Sequence, residues 1–254
     1  MALSPSGKFS KNDYFRQAEE IAVILSTEGR KPKLRVVEIG CGRAFNLRYL
    51  AERFPQDSFI GLDVSERNLR AANKRLNGLS NINLIAEDFH KLSGIETASV
   101  DVLFAVESLC HANNIGEALE SIMRVLVPGG RFIVFDGFRN VTTVYPEQLR
   151  TAIRYTEQAM AVPSFKSLED FVSAAKSRGF CLEYTEDRSD EVMPNLIRLS
   201  DLAKGFFKIG PLSKVVMTMV PHGLVANAIA GLLLAVTVKS GAHRYMKLAL
   251  RRPR

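Results

Sequence analysis

Cysteine is scarce in this chain of 254 residues, and the three that are present, Cys41, Cys110 and Cys181, stand far apart. The sequence contains no C-x-x-C pair and no cluster of cysteine with histidine. These absences argue against a disulfide framework and against a structural zinc site. The first residues, MALSPSGKFSKNDYF, lack the apolar core of a secretory signal, so we expect a cytoplasmic protein.

A long uninterrupted apolar run is also missing, although the segment Phe206–Val238 is mostly apolar. Polar and helix-breaking residues interrupt this segment, and the clean run that remains, Leu224–Val238, is too short to cross a bilayer comfortably. We expect the segment to form a lid over an apolar acceptor pocket or a face that rests on a membrane surface. Ordinary helix–helix packing in a core is the alternative.

Negative charge does not balance positive charge, and the net charge is +7 at neutral pH. Much of the positive excess lies near the C-terminal end of the sequence, where we expect it to form a solvated face or to touch an anionic membrane surface. No basic stripe with interleaved aromatic residues is present, which argues against a nucleic-acid partner. The basic residues at this end include Arg244, Lys247, Arg251, Arg252 and Arg254.

Length and composition are ordinary for one α/β domain with an added cap. The stretch Leu34–Asn46, LRVVEIGCGRAFN, is more specific, because an apolar strand runs into a glycine turn and then a helix. Gly40 and Gly42 allow the backbone to approach a ligand that a Cβ would block. The free N–H groups of the following helix point at the same place. The pattern predicts a nucleotide-type site at the carboxyl end of a parallel strand.

Two nucleoside cofactors are compatible with such a site. The dinucleotide fingerprint G-x-G-x-x-G/A needs a small sixth residue, and Phe45 stands at that position. Glu38, just before the glycines, would repel a pyrophosphate but suits a cationic amino-acid group. These two residues weigh against a nicotinamide-dependent oxidoreductase.

Residues 38–44, EIGCGRA, resemble the first motif, E/D-x-G-x-G-x-G, of class I S-adenosylmethionine-dependent methyltransferases. Ala44 replaces the third glycine of that motif, which is a mild departure. Further marks of the family follow in order over roughly residues 34–136, among them the turn Pro128-Gly129-Gly130 before a predicted strand Arg131–Asp136. The resemblance implies S-adenosylmethionine as the cofactor and requires no metal.

Acidic residues follow the next predicted strands. Asp63 lies about one β-α-β unit after the glycine turn, where a carboxylate can accept hydrogen bonds from the ribose hydroxyls. Ser65 is the better cap for the next helix, which leaves Asp63 for a ligand. Asp88 matches the acid that binds the adenine amino group in the resembling family, although Glu87 is an equally good acid. The resemblance places the cofactor among Glu38, Gly40, Cys41, Gly42, Asp63, Val64, Asp88, Phe89 and Val106.

The ends of the fourth and fifth predicted strands, Val100–Val106 and Arg131–Asp136, carry the candidate catalytic residues. His111 is the candidate base, because an imidazole titrates near working pH, and a water-facing residue at a helix start is the alternative. Asp136 would orient His111, hold the acceptor or only cap its strand. In the sterol-type branch of the family, the acid that matches Glu107 lies near the methyl-transfer site.

The resemblance implies an α/β, Rossmann-like fold with a seven-stranded, mostly parallel sheet, helices on both faces, an antiparallel last strand and an apolar lid near the C-terminus. We expect residues 1–33 to form an arm and a cover helix, residues 34–136 the cofactor-binding core, and residues 137–254 the lid and the last strands. The predicted activity is methyl transfer to a small apolar acceptor, such as a lipid, terpenoid, sterol, quinone or polyketide-like molecule. A sugar or amine acceptor and a non-catalytic cofactor-binding protein are the alternatives.

Overall fold

The computed structural model describes residues 1–27, 31–162, 164–207 and 222–254. The chain divides into two compact units, and each unit is built from separate segments of the sequence. The sheet unit comprises Phe15–Asp136, Glu169–Glu186 and Met246–Arg254, and the helical unit comprises Met1–Tyr14, Gly137–Leu168 and Asp187–Tyr245. The predicted division into residues 1–33, 34–136 and 137–254 stays a prediction.

The described strands form one seven-stranded sheet in the order β3-β2-β1-β4-β5-β7-β6. The strands are β1 (Arg35–Ile39), β2 (Ser58–Asp63), β3 (Ile82–Ala86), β4 (Val100–Val106), β5 (Leu126–Arg139), β6 (Cys181–Asp187) and β7 (His243–Arg251). The first five strands pair in parallel, and β7 is antiparallel. The backbone N–H of Gly129 donates a 2.9 Å hydrogen bond to the carbonyl of Arg252 at one end of the pairing between β5 and β7. The predicted Rossmann-like fold is confirmed.

The central strands are apolar because neither face of the sheet is open to water there. Every residue of β1 except Arg35 is buried, and so is most of β4. The edge strands β3 and β6 contain no fully buried residue. Continuous apolar runs are typical of parallel strands covered on both faces, which is why the sequence predicts the core strands well.

The described helices alternate with the strands only in part, because no helix lies between β3 and β4 and two described helices precede each of β6 and β7. They are α1 (Arg16–Leu25), α2 (Phe45–Arg53), α3 (Glu66–Arg75), α4 (Ile115–Val125), α5 (Glu147–Ala159), α6 (Leu168–Ser177), α7 (Ser189–Phe207) and α8 (His222–Lys239), with 3-10 turns at Lys11–Phe15 and Leu109–His111. The Oγ of Ser65 accepts a 3.3 Å hydrogen bond from the Asn68 amide and caps α3, as predicted. Asn114 caps α4 in the same way.

The segment Pro128-Gly129-Gly130 differs from its prediction as a turn that precedes a strand. It lies inside β5, where Val100 pairs with Leu126 and Val102 pairs with Arg131, so the extra residues bulge out of the ladder. Gly129 adopts a φ of +83°, and a Cβ at Gly130 would lie 2.8 Å from a backbone carbonyl oxygen. The two glycines therefore permit a bulge in a continuous strand.

Two of the basic residues late in the sequence do not lie on the expected solvated face. Lys247 is buried, and its Nζ lies 2.7 Å from a carboxylate oxygen of Glu20 on α1. Arg252 donates hydrogen bonds to three backbone carbonyl oxygens, including that of Leu126 at 2.6 Å. Lys247 and Arg252 therefore form contacts within the sheet unit, whereas Arg244 and Arg254 are exposed.

The helical unit contains α5, α7 and α8. His243, which looks like a surface residue in the sequence, is only 2% exposed there and lies 3.4 Å from Glu157 on α5. Of the predicted lid, residues 208–221 lie outside the described residues, and α8 is its described part. Within the described ranges, no helix is long and apolar enough to cross a membrane. The choice between a lid, a core helix and a membrane-contacting face stays a prediction.

Candidate functional site

The glycine turn after β1 is built from alternate residues with left-handed backbone. Gly40, Gly42 and Ala44 adopt φ values of +66°, +55° and +57°. A Cβ at Gly40 would lie 2.4 Å from the Cβ of Ser108, whereas the same position at Gly42 meets nothing within 4 Å. Gly40 is therefore required by packing as well as by φ. Gly42 leaves open space through which a ligand can approach the backbone.

Ala44 departs from the motif and adopts a conformation that costs a residue with a Cβ about 1 kcal/mol. A neighbouring side chain braces the turn at this point. The guanidinium of Arg75, on α3, donates a 2.8 Å hydrogen bond to the carbonyl of Arg43 and lies 3.6 Å from the centroid of the Phe45 ring. Arg75 therefore holds both neighbours of Ala44, a role that the sequence pattern does not indicate.

Glu38 is a buried carboxyl group at the end of β1, with 2% of its surface exposed. The side-chain amide of Asn46 donates a 2.8 Å hydrogen bond to its Oε1, while its Oε2 is buried and has no hydrogen-bond partner among the described residues. Burial raises the pKa of Glu38 to about 8; the Asn46 hydrogen bond opposes this shift and the charge of Asp63 adds to it. A cationic ligand group would supply the missing partner.

Asp63 joins the glycine turn to the start of α3. Its Oδ2 accepts a 2.9 Å hydrogen bond from the Gly42 amide, and its Oδ1 accepts hydrogen bonds from the Ser65 amide, at 2.8 Å, and from the side-chain amide of Asn68, at 3.4 Å. A carboxylate has acceptor capacity for about four hydrogen bonds, so Asp63 retains capacity for a ligand hydroxyl. Val64, the next residue, is exposed.

The two acids after β3 have different partners. Glu87 accepts hydrogen bonds from the backbone amides of Ser93 and Gly94 and so closes a local loop. Asp88 is half-exposed, and the hydrogen bonds it receives come from His90. Burial acts to raise the pKa of Asp88, but the His90 hydrogen bonds and nearby positive charge outweigh it and lower that pKa. These partners favour Asp88 over Glu87 as the ligand-binding acid.

The end of β4 is fixed against β1 and β5. The Oγ of Ser108 donates a 2.9 Å hydrogen bond to the carbonyl of Ile39, and the Glu107 amide donates a 2.8 Å hydrogen bond to the carbonyl of Phe135. Glu107 has a φ of +54°, which is unfavourable for a residue with a side chain. Strain of this kind is concentrated at functional sites in proteins. Val106, the last residue of β4, is half-buried.

Asp136 is a buried acid, 2% exposed, that organises the turn after β4. Its Oδ2 accepts hydrogen bonds from the backbone amides of Leu109, at 2.8 Å, and Cys110, at 3.1 Å. The same turn carries His111, whose side chain is exposed. Asp136 therefore acts on the position of His111 through the backbone of the turn.

The cysteines near the site are held as neutral thiols. Burial raises the pKa of Cys41, and the charges of Glu38 and Asp63 raise it further. Burial likewise raises the pKa of Cys110, with a further contribution from Asp136. A thiol with a raised pKa is a poor nucleophile, so Cys41 fills the turn. No group of His, Cys, Asp and Glu residues that could hold a metal ion occurs in the described part of the chain.

All the candidate residues from the sequence lie in the sheet unit, at or just after the carboxyl ends of β1 to β4, except Asp136, which lies inside β5 because that strand continues to Arg139. The structure adds Asn46, Arg75, Ser108 and His90 as partners that sequence reasoning did not single out. The buried Oε2 of Glu38, the open space at Gly42 and the acids Asp63 and Asp88 fit the chemistry of S-adenosylmethionine. That molecule carries a cationic amino group, a ribose diol and an adenine amino group.

Comparisons with known proteins agree with this fit. Residues 37–134 match the family model of the methyltransferase domain. Cycloartenol-C-24-methyltransferase 1 of Oryza sativa subsp. japonica is 28% identical over 170 residues, which cover 64% of this chain and 48% of that protein. Trans-aconitate 2-methyltransferase of Acidovorax sp. (strain JS42) is 32% identical over 120 residues, which cover 47% of this chain and 43% of that protein. The chain spans about half the length of these curated relatives.

A solved structure extends the likeness of the fold over nearly the whole chain. Geranyl diphosphate C-methyltransferase from Streptomyces coelicolor A3(2) superimposes with a TM-score of 0.70 and 17% identity, and the match covers 93% of this chain and 80% of that one. At this identity the likeness shows the shared fold only.

Proposed function

We propose that this chain, which carries a class I S-adenosylmethionine-dependent methyltransferase domain, transfers a methyl group to a small apolar acceptor. The observation that carries the proposal is the buried carboxyl group of Glu38, which lies beside the open glycine turn. Its Oε2 has no hydrogen-bond partner among the described residues. A cationic amino-acid group favours the ionised form of this carboxyl group and would be bound here, whereas a pyrophosphate would gain no opposite charge from either form.

Each group of the cofactor has a proposed partner in the sheet unit. Glu38 binds the amino group, and the backbone at Gly40, Cys41 and Gly42 follows the amino-acid end. Asp63 accepts hydrogen bonds from the ribose hydroxyls, and Asp88 accepts one from the adenine amino group. The apolar side chains of Val64, Phe89 and Val106 are proposed to pack around the nucleoside.

S-adenosylmethionine supplies both the methyl group and its leaving group, so the protein has to align two molecules and manage one proton. We propose that His111 accepts that proton when the acceptor is a hydroxyl or an activated carbon. Asp136 keeps the turn of His111 in place through its two amide hydrogen bonds. Glu107 presents a carboxylate near the same strand end.

The apolar acceptor is supported by the names of similar proteins and by the sequence. One relative is a cycloartenol C-24-methyltransferase, and the solved structure is that of a geranyl diphosphate C-methyltransferase. The apolar segment Phe206–Val238 would cover such an acceptor or rest on a membrane that contains it. A polar acceptor is the second candidate, and the trans-aconitate 2-methyltransferase relative favours it.

The test uses S-adenosylmethionine with a deuterated methyl group, the purified chain and a cell extract. Mass spectrometry then follows the label into organic and aqueous fractions, with the His111→Ala variant as a matched control. Label in the organic fraction that depends on His111 supports the proposal. Label only in water-soluble products would replace the apolar acceptor by a polar one. No label, despite binding of S-adenosylhomocysteine, would favour a non-catalytic cofactor-binding protein.

A further inference from the structure

His90 lies between Asp88, the acid after β3, and Asn114, the residue that caps α4. Its side chain is only 11% exposed. Its Nδ1 lies 2.5 Å from Oδ1 of Asp88, and its Nε2 lies 3.4 Å from the backbone nitrogen of Asn114, the cap of α4. The imidazole therefore connects the acid after β3 to the start of the helix that follows β4.

The hydrogen-bond partners determine where the proton of the ring lies. The backbone N–H of Asn114 can only donate, so Nε2 of His90 has to be the acceptor. The proton of the neutral ring is then on Nδ1, which donates it to the carboxylate of Asp88. In this tautomer both ring nitrogens are satisfied, and the orientation of the ring is set by two independent contacts.

Three further contacts hold His90 in place. Its backbone amide donates a 2.9 Å hydrogen bond to the same Oδ1 of Asp88. The hydroxyl of Ser121, on α4, donates a 2.5 Å hydrogen bond to the carbonyl of His90. The imidazole stacks on the ring of Phe89, with centroids 4.7 Å apart and planes 25° apart. Asp88 is thus attached at one oxygen to a residue that α4 fixes.

The second oxygen of Asp88 receives no hydrogen bond from the described residues, because both bonds from His90 go to Oδ1. Half of the Asp88 side chain is exposed, so a ligand can reach it. When one oxygen of a carboxylate is held, the lone pairs of the open oxygen have fixed directions. Holding an acceptor in a fixed direction reduces the entropy lost when a ligand binds.

We propose that His90 is a positioning residue that presents Oδ2 of Asp88 to the 6-amino group of the cofactor's adenine. It thereby sets the preference of the site for adenine over a purine with a 6-oxo group. This inference rests on the proposed role of Asp88 in cofactor binding. An amino group donates to the carboxylate, whereas an oxo group cannot donate and is repelled by its charge. A site built to pair with a substrate N–H rejects an analogue that lacks it.

The test compares calorimetric affinities for S-adenosylhomocysteine and for S-inosylhomocysteine, in which an oxo group replaces the amino group. The His90→Ala variant is expected to bind S-adenosylhomocysteine about tenfold more weakly, while its affinity for S-inosylhomocysteine changes less than about twofold. The His90→Asn variant keeps an N–H donor near the position of Nδ1 and should recover most of the preference. Ser93→Ala, an exposed change in the same loop, is the matched control.

Equal weakening of both ligands in His90→Ala would mean that His90 only supports the fold, and would overturn the inference. An unchanged preference in that variant would overturn it as well. The Asp88→Asn variant distinguishes the proposed role of His90 from the proposed role of Asp88. If Asp88→Asn loses the preference and His90→Ala keeps it, only the role of His90 fails. If the unmodified protein binds neither ligand, the proposed function itself fails.

Discussion

The side-chain amide of Asn46 donates a 2.8 Å hydrogen bond to Oε1 of Glu38, while the other carboxylate oxygen of Glu38 has no such partner among the described residues. A buried carboxyl group with half of its hydrogen-bonding capacity unused favours the protonated form. Its pKa of about 8 makes the ligand-free site neutral at this position near physiological pH. A cationic ligand group reverses that preference, because it stabilises the ionised form of Glu38.

The affinity for S-adenosylhomocysteine should increase as pH rises from 6 to 8. Binding of its cationic amino group requires the ionised form of Glu38, and below pH 8 the carboxyl group has to release a proton first. The expected slope approaches about one decade of affinity per pH unit. Calorimetry in buffers of different ionisation enthalpy measures the released proton, and Glu38→Gln should remove both the release and the slope. A flat profile in the unmodified protein would contradict this role.

The stability of the ligand-free protein should respond to pH in the opposite direction. The pKa of Glu38 rises from an ordinary value of 4.5 to about 8 on folding, so between these values the folded state holds a proton that the unfolded state has lost. The contribution of Glu38 to the free energy of unfolding therefore falls as pH rises through this window. At pH 8.5 the Glu38→Gln variant should have a Tm about 2–4 °C above that of the unmodified protein. A lower Tm would indicate that the ionised carboxylate stabilises the fold.

Gly40→Ala and Gly42→Ala form a matched pair with different expected effects. Both glycines have positive φ, but only at Gly40 would the new Cβ meet the Cβ of Ser108, at 2.4 Å. Gly40→Ala should lower the free energy of unfolding by more than about 2 kcal/mol, and Gly42→Ala by about 1 kcal/mol. Gly42→Ala should still lose cofactor affinity, since its Cβ enters the open space. Chemical denaturation and calorimetry measure the two effects, and equal losses of stability would argue against the packing at Gly40.

His111→Ala and Asp136→Ala should separate proton transfer from the support of the turn. Loss of a general base lowers kcat by about 100-fold or more, and His111→Ala should do so without changing cofactor affinity. Asp136→Ala leaves the amides of Leu109 and Cys110 without their acceptor and should lower both Tm and kcat. Single-turnover assays with the identified acceptor measure the rate. Full activity of His111→Ala would remove it from the mechanism.

The ion pair between the buried Lys247 and the half-buried Glu20 should contribute to stability mainly through the penalty for breaking it. Lys247→Met leaves the Glu20 carboxylate near an apolar side chain and should cost about 3 kcal/mol. The double variant Lys247→Met with Glu20→Gln should recover part of this loss, because the carboxylate that lost its ammonium partner is then removed as well. Urea denaturation gives the values. Additive losses in the double variant would show that the two residues do not interact.

Local patterns carried much of the fold prediction. The apolar strands, the glycine turn and the Ser65 cap depend on residues close in sequence, and the structure confirms them. The positions of the His90 and His243 side chains depend on partners far away in sequence, Asn114 and Glu157, so local patterns do not predict them. Lys247 similarly finds its partner Glu20 on α1, far away in the sequence. Sequence spacing indicates which acids end the strands, but it does not show which donors hold them.

Titration of S-adenosylhomocysteine into the unmodified protein and into Asp63→Ala tests the cofactor site most directly. Asp63 accepts a hydrogen bond from the Gly42 amide and is proposed to bind the ribose, so it links the glycine turn to the ligand. We expect one binding site per chain in the unmodified protein and a loss of about tenfold or more in affinity in the folded variant. Absence of binding to the folded, unmodified protein, or equal affinity in Asp63→Ala, would contradict this expectation.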